Sequence, residues 1–285
     1  MRIIHRAYLS LIVLLLVLSP GSAEKASGEL SSFIQYKPQP GMVQTSVLTM
    51  QNSRGQELDL VSAVHVGSPT YYGELNKRFK GYDAVLYELI LPDEMAGQAL
   101  PAQMNTGSGV SGIQGMIAKS MGLTTQIEKI NYTAPNFVHA DLTRNGLAQK
   151  MAERQENLMT YMMKALGSSG SMDQSQLGVT DEELAELDLM AVMSGRTSAK
   201  DRKVLRKLFG SAMGASGGLL AGLGDSALIA DRNQAALKVA RREVQSGKRR
   251  IALFYGAAHM PDLKKQLESE GWKRVRTDWV TAWDV

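Results

Sequence analysis

The feature that most constrains the fold is a pattern that occurs near both ends of the chain. Each copy has an apolar strand, a histidine after it, a helix that begins at a proline, a glycine and a further strand. The first copy contains His65 and Pro69, and the second contains His259 and Pro261. Strand-helix-strand units have parallel strands and a right-handed crossover. We therefore predict an α/β protein whose mixed sheet is built from two β-α-β half-units at the chain ends.

Local signals place the elements of these half-units. The turn residues Asn52-Ser53-Arg54-Gly55 separate two β-rich segments, which predicts a hairpin. Ser68 and Pro69 are typical of the N-cap and first residue of a helix, whose Tyr72, Leu75 and Phe79 share one face. Apolar runs bounded by turn signals predict strands. The predicted strands cover residues 43–50, 57–66, 84–90, 250–255 and about 273–282.

The middle of the chain predicts a helical insertion at about residues 143–247. Thr180 with Glu183 forms a capping box, and Ser198 with Asp201 resembles one. Twelve of the 16 methionines lie between Met95 and Met213. They are typical of adaptable helix packing, and a soft hydrophobic surface for a substrate or partner is the alternative. The helical patterns cover about 143–166, 181–194, 199–209 and 226–246.

The N-terminus predicts export. Two arginines precede an apolar run at 9–18, and small residues follow it up to Ala23. The run is shorter than the ~20 residues of a membrane-spanning helix. We interpret residues 1–23 as a signal peptide that is cleaved after Ala23, with an uncleaved anchor as the alternative. Residues 24–285 would then form a single periplasmic or extracellular domain without a transmembrane span.

Composition excludes several classes of function. The chain has no cysteine, which excludes disulfides, thiol catalysis and thiolate metal sites. Removal of residues 1–23, with their two arginines, lowers the formal net charge of +4 to about +2. A nearly neutral chain does not indicate nucleic-acid binding. We interpret the basic clusters at 200–206 and 241–250 as solvated helix faces. The sequence also lacks the Walker and His-Glu-x-x-His motifs.

Histidines and carboxylates are the candidate functional residues. His65 and His259 lie at the carboxyl ends of predicted strands, the edge where open α/β sheets bind ligands. His139 and Asp141 are two residues apart, so in an extended segment their side chains point to the same side. Glu88 interrupts an apolar run, and a buried carboxylate is costly unless it is paired or bound to metal. Each histidine alone is typical of a hydrogen-bonded core or turn residue.

Taken together, these side chains suit a divalent metal. Imidazole and carboxylate groups bind zinc, manganese, iron or cobalt. Such a metal polarises a carbonyl group and lowers the pKa of bound water to ~7. Arg232 lies in a predicted helix that is otherwise rich in alanine and leucine. Its guanidinium either meets an anionic substrate group or developing charge, or pairs with an acid such as Glu88.

The site residues lie in four segments of the chain: Ser62–Gly67, Val85–Glu88, Asp231–Asn233 and Tyr255–Pro261. Together these segments resemble the TraB/PrgY/GumN family, whose relatives include the TIKI metalloproteases and, more remotely, the erythromycin-esterase and ChaN haem-binding groups. The resemblance implies a mixed α/β core with helices inserted between its halves. It also implies a site at His65, Glu88, Arg232 and His259.

The resemblance leads to three hypotheses. The first is a metal-dependent hydrolase for a peptide or protein substrate. His65 and His259 would hold the metal and Glu88 would be a ligand or general base. Arg232 would stabilise negative charge, and His139 and Asp141 would be further ligands. The second is a haem- or iron-binding module that uses the methionine-rich helices with Tyr255 or Tyr87. The third is a non-catalytic signalling or peptide-binding protein with the same cleft.

Overall fold

A computed structural model describes most of the chain. The predicted signal peptide at 1–23 and its cleavage after Ala23 lie outside the described residues. No helix in the described ranges is long and apolar enough to cross a membrane. The described residues are 29–96, 98, 100, 109–157, 160–161, 179–215 and 225–285.

The described residues form a mixed α/β structure, as predicted. The main sheet has seven strands, and β4 and β6 form a separate small ladder. The strands are β1 (Ile34–Lys37), β2 (Met42–Gln51), β3 (Glu57–Ala63), β4 (Val66–Gly67), β5 (Ala84–Tyr87), β6 (Thr124–Thr125), β7 (Phe137–His139), β8 (Arg250–Gly256) and β9 (Lys273–Asp284).

Helices connect the strands of this sheet and make up much of the described central part of the chain. Short 3-10 turns lie at Asp93–Met95 and Ala257–His259, and a π-helix lies at Ala227–Asp231. The α-helices are α1 (Pro69–Phe79), α2 (Gly109–Met121), α3 (Gln126–Lys129), α4 (Arg144–Glu153), α5 (Asp181–Ala185), α6 (Leu189–Ser194), α7 (Ala199–Ala215), α8 (Arg232–Gln245) and α9 (Met260–Ser269).

The two half-units interleave within the main sheet. Strand β8 of the second half-unit is parallel to β3 on one side and to β5 on the other, and β5 is parallel to β7. Strand β2 is antiparallel to β3, β1 and β9. The strands of each half-unit are therefore not direct neighbours. Because Ala63 and Gly256 are register partners, the segments that carry His65 and His259 leave adjacent strands at the same edge.

Burial on both faces explains the apolar strands of the sheet centre. All four residues of β5 are buried, as are all residues of β8 after Arg250. Strands covered on both faces require such continuous apolar sequences. Helix α1 begins as predicted, because the Ser68 side chain accepts the N–H of Tyr71 and Pro69 occupies the first turn. Full burial of its Leu75 contributes about 1.5–3 kcal/mol.

The helical insertion differs from the prediction in its boundaries. Helix α4 ends at Glu153, so the predicted helix at 143–166 is interrupted there; Thr160 and Tyr161 are helical again, and residues 162–166 lie outside the described residues. The predicted helix at 181–194 is divided in two, because the side chain of Asp188 accepts the N–H of Ala191 and begins a new helix. Helix α7 continues to Ala215, beyond its predicted end. Helix α2 was not predicted, since its glycines and serines are typical of loops.

Both capping predictions agree with the structure. The Thr180 side chain accepts the N–H of Glu183, and the Glu183 carboxylate accepts the N–H of Thr180. Ser198 and Asp201 exchange the same pair of hydrogen bonds at the start of α7. The predicted helix at 226–246 begins instead with the π-helix Ala227–Asp231, and regular α-helix starts at Arg232. Single π-turns of this kind occur frequently next to functional sites.

Candidate functional site

Three predicted site residues meet around Gly256, the last residue of β8. A Cβ atom placed on Gly256 would lie 3.3 Å from Glu88 Oε2, 3.8 Å from His259 Cδ2 and 3.9 Å from His65 Nε2. These residues follow three neighbouring parallel strands, β5, β8 and β3. The interleaved strand order therefore brings His65, Glu88 and His259 together at the carboxyl edge of the sheet, where open α/β sheets bind ligands.

Glu88 is a buried carboxylate whose two oxygens have different partners. The N–H of Gly256 donates to Oε2 at 2.6 Å, and Nη2 of Arg232 donates to Oε1 at 2.8 Å. Burial alone would raise the pKa of Glu88, but the positive charge of Arg232 and the neighbouring His259 hold it well below its ordinary value. Glu88 is therefore ionised at neutral pH, which explains how a carboxylate is tolerated in an apolar run.

Arg232 joins Glu88 to Asp141. Its Nε donates to Asp141 Oδ1 at 2.9 Å, and its Nη2 donates to Asp141 Oδ2 at 2.5 Å. The sequence left open whether Arg232 pairs with acids or meets a substrate, and the structure shows the pairing. One guanidinium faces two carboxylates here, so with neutral histidines the cluster keeps about one unit of negative charge. The role of Arg232 towards a substrate stays a prediction.

Asn233, the next residue, holds His259. Its Nδ2 donates to the carbonyl oxygen of His259 at 3.2 Å and to Asp262 Oδ2 at 2.7 Å. Both partners only accept hydrogen bonds, which fixes the orientation of the amide. Asn233 Oδ1 therefore accepts from Nδ1 of His259, 2.7 Å away. In neutral His259 the proton is on Nδ1, and the lone pair of Nε2 faces the centre of the site.

His65 differs from the other site residues because its side chain is exposed, whereas Glu88, Arg232 and His259 are buried. The surrounding protein partly desolvates the ring and lowers the pKa of His65, and the positive charge of Arg232 lowers it further. The carboxylate of Glu88 opposes this shift. His65 is therefore a neutral imidazole at neutral pH, in contact with solvent and close to Glu88.

His139 and Asp141 do not form a common site, although we predicted that their side chains point the same way. Nε2 of His139 lies 2.7 Å from the carbonyl oxygen of Leu89, and the ring packs against Tyr87. Asp141 is held by Arg232, and its Oδ1 also accepts the N–H of Leu142 at 2.7 Å. In this arrangement His139 Nε2 and the Asp141 carboxylate already have partners within the protein.

The tyrosines considered for haem binding are both buried. Tyr255 is fully buried, and its hydroxyl donates to the carbonyl oxygen of Ala140. Burial raises the pKa of Tyr255 well above its ordinary value. Burial also raises the pKa of Tyr87, to about 12. Neither side chain offers an exposed phenolate to a haem iron, which weighs against the haem hypothesis.

Sequence reasoning missed three residues that shape this site. Asn233 and Gly256 lie inside segments that carry the family resemblance, so their position beside Arg232 and the second histidine was a usable signal. Gln126 is the third. Its backbone N–H donates to the carbonyl oxygen of His65 at 2.9 Å, and its side chain is buried. No motif marks Gln126, because it reaches the site only through the pairing of β4 with β6.

The site suits a divalent metal in part. Across the described ranges, no group of three or more histidine, aspartate or glutamate side chains stands at metal-binding distances. Two donor atoms, one from His259 and one from Glu88, are nevertheless about as far apart as two ligands of one metal ion. Nε2 of His259 lies 3.5 Å from Oε1 of Glu88, which is long for a hydrogen bond. Two donors ~2.1 Å from a tetrahedral zinc ion would be about 3.4 Å apart.

Comparisons with protein-family models, with curated proteins and with solved structures found no match. The resemblance to the TraB/PrgY/GumN family therefore rests on the four sequence segments and stays a prediction. The geometry of the site is an independent observation, because it depends on distances and hydrogen bonds within this chain.

Proposed function

We propose that this chain is an exported, metal-dependent hydrolase that cleaves peptide bonds at the site formed by His65, Glu88 and His259. One observation carries the proposal: Nε2 of His259 faces Oε1 of Glu88 at 3.5 Å. When His259 is neutral, a lone pair and a carboxylate oxygen face each other, and their repulsion is relieved by a cation or a proton between them. The net negative charge of the Glu88–Arg232–Asp141 cluster favours a cation there.

The donor set determines which residues would hold the metal. His259 and Glu88 supply two ligands at suitable spacing, and His65 is the neighbouring third. When bound, a divalent metal supplies Lewis-acid polarisation of a carbonyl group and acidifies water. Asn233 keeps the His259 lone pair directed into the site through its hydrogen bond to Nδ1. Such hydrogen bonds from the second ring nitrogen orient metal-binding histidines in general.

The remaining residues of the site would control its charge and the transfer of protons. Arg232 keeps Glu88 ionised, and the N–H of Gly256 fixes the position of the carboxylate. Of Glu88 and neutral His65, the one that does not bind the metal would accept a proton from an attacking water. His65 is solvent-exposed, so a proton that it accepts has a path to the solvent. The buried charge of Arg232 would also favour negative charge that develops nearby.

The proposed peptide substrate and the proposed export are supported by different observations. Cleavage of peptide bonds follows from the resemblance to the TIKI metalloproteases. Export follows from the apolar run at 9–18 and the small residues before Ala23. A site of histidines and carboxylates also functions without any thiol, and this chain has none.

The direct test uses the purified chain from residue 24 to 285. We expect calorimetry to show binding of about one Zn²⁺, Mn²⁺ or Co²⁺ per chain, and a chelator to abolish cleavage of a peptide library. Glu88→Gln should lose both properties. Glu243→Gln is the matched control, because Glu243 is also buried and also pairs with an arginine, Arg242.

Other outcomes would decide against this function. Peptide cleavage that persists in the presence of a chelator would indicate a metal-free acid–base site. A Soret band on titration with haemin, lost in a histidine or tyrosine variant, would favour the haem hypothesis. Peptide binding that neither turns over nor changes in His65→Ala and His259→Ala would favour a non-catalytic protein.

A further inference from the structure

Gln126 lies beside His65 and has a buried, unpaired oxygen. Its side chain is 5 % exposed, and Nε2 donates to the hydroxyl of Tyr132 at 2.7 Å. Oε1 has no hydrogen-bond partner in the described part of the chain. A buried amide oxygen left without a partner costs about 1–3 kcal/mol, so such an atom requires an explanation.

The position of Gln126 relative to His65 is fixed by the backbone. Its N–H donates to the His65 carbonyl oxygen at 2.9 Å. The preceding residue, Thr125, pairs with Val66 in the small ladder of β4 and β6. The N–H of Thr125 also donates to Glu128 Oε2 at 3.2 Å at the start of α3. The Gln126 side chain therefore leaves a rigid turn directly beside the histidine.

The ring of His65 offers one nitrogen to this side chain. Nε2 lies on the side of Gly256, where it is 3.9 Å from the position of an added Cβ atom, and Glu88 is on the same side. Nδ1 is the nitrogen that remains for another partner.

We infer that Gln126 is a positioning residue for His65: a small rotation of its side chain lets the unpaired Oε1 accept the Nδ1–H of His65 and leaves the Nε2 lone pair directed towards Glu88. The arrangement would match the other half-unit, where Oδ1 of Asn233 accepts from Nδ1 of His259. Each histidine of the repeated pattern would then be oriented by one carboxamide. The consequence for metal affinity and catalysis rests on the proposed function, whereas the position of the proton does not.

The test is the tautomer of His65 in the chain from residue 24 to 285, without metal, at pH 8. Long-range ¹H–¹⁵N correlation spectra should show the His65 proton on Nδ1 in the wild-type protein. Gln126→Met has a similar shape but no acceptor, and should move a substantial fraction of the proton to Nε2. Gln126→Glu keeps the acceptor and should keep the Nδ1–H form. Gln56→Met is the matched control, since Gln56 is 7 % exposed and bonds to Val244 and Lys248 instead.

Zinc titration supplies the second measurement. Loss of an orienting hydrogen bond typically weakens metal binding 10- to 100-fold, and we expect that loss in Gln126→Met but not in Gln56→Met. A wild-type spectrum with the proton on Nε2 would overturn the inference, as would an unchanged tautomer in Gln126→Met. If Gln126→Met does not fold, the wild-type and Gln126→Glu spectra decide. An Nδ1–H tautomer in a protein that binds no zinc would support the positioning role and contradict the proposed function.

Discussion

Asn233 Oδ1 accepts a hydrogen bond from Nδ1 of His259 at 2.7 Å, and this bond determines which nitrogen of His259 faces Glu88. The amide cannot rotate without losing its bonds to the His259 carbonyl oxygen and to Asp262. The direction of the His259 lone pair is therefore set by a residue that does not itself face Glu88. This relationship makes the site testable through residues around it as well as through the site residues themselves.

Replacement of Asn233 should disturb His259 without removing any proposed ligand. We expect Asn233→Leu to weaken zinc binding 10- to 100-fold, because the Nδ1 hydrogen bond is lost. It should also lower the free energy of unfolding by about 1–3 kcal/mol, since buried groups lose their partners. Calorimetry and urea denaturation measure these changes. Gln234→Leu is the control, because Gln234 is exposed and bonds to Gln266. Equal zinc affinity in both variants would contradict the proposed role of Asn233.

Removal of the Arg232 charge should be costly for folding. Arg232→Met leaves Glu88 and Asp141 buried without their shared partner, and breaking a buried ion pair typically costs 3–5 kcal/mol. Arg78→Met is a suitable comparison. Arg78 also contacts two acids, Glu74 and Asp278, but these side chains are partly exposed and such pairs contribute ~0–1 kcal/mol each. Similar denaturation midpoints for the two variants would show that the buried cluster contributes no special stability.

The variant Gly256→Ala tests the geometry of the site without straining the backbone. The Gly256 φ of −54° suits any residue, so Gly256→Ala introduces no backbone strain. The new Cβ atom would lie 3.3 Å from Glu88 Oε2, which forces the carboxylate to move by a few tenths of an ångström. We expect at least a tenfold loss of peptide cleavage with little change in melting temperature, because a small displacement of a reacting group has a large effect on rate.

Gly73→Ala is the matched control for Gly256→Ala. Gly73 is exposed in α1, and a Cβ atom there would meet no described atom within 4 Å. Alanine is favoured over glycine in a helix by about 0.5–1 kcal/mol, so this variant should be more stable and fully active. A loss of activity in Gly73→Ala, or full activity in Gly256→Ala, would contradict the assignment of the site.

Buried tyrosines should make the protein sensitive to alkali. Burial raises the pKa of Tyr87 from 10.0 to about 12, so the folded state keeps its proton to higher pH than the unfolded state. The stability from this group is complete below pH 10 and is lost as the pH rises towards 12. The melting temperature should therefore fall above pH 10. Tyr87→Phe should make that decline less steep, and identical pH profiles for the two proteins would contradict this explanation.

Local sequence signals predicted much of the fold. The pattern of strand, histidine, proline and glycine predicted both half-units, because turn chemistry and helix caps are short-range properties. The helices of the insertion were predicted less well. An apolar helical pattern continued beyond Glu153, where the chain forms a turn with Gln155 at a positive φ of 55°. Helical periodicity indicates which residues suit a helix, but the packing around the segment decides where the helix ends.

For the candidate site too, the sequence determined some features and the tertiary structure decided the others. The sequence alone determined that His65 and His259 follow strands and that Glu88 needs a partner, because these conclusions depend on neighbouring residues along the chain. Only the tertiary structure placed β8 between β3 and β5, which brings those three side chains together. It also decided that Asp141 pairs with Arg232, that His139 bonds to Leu89, and that Asn233 holds His259. These contacts join residues far apart in sequence, so their partners follow from strand order and packing and not from any local pattern.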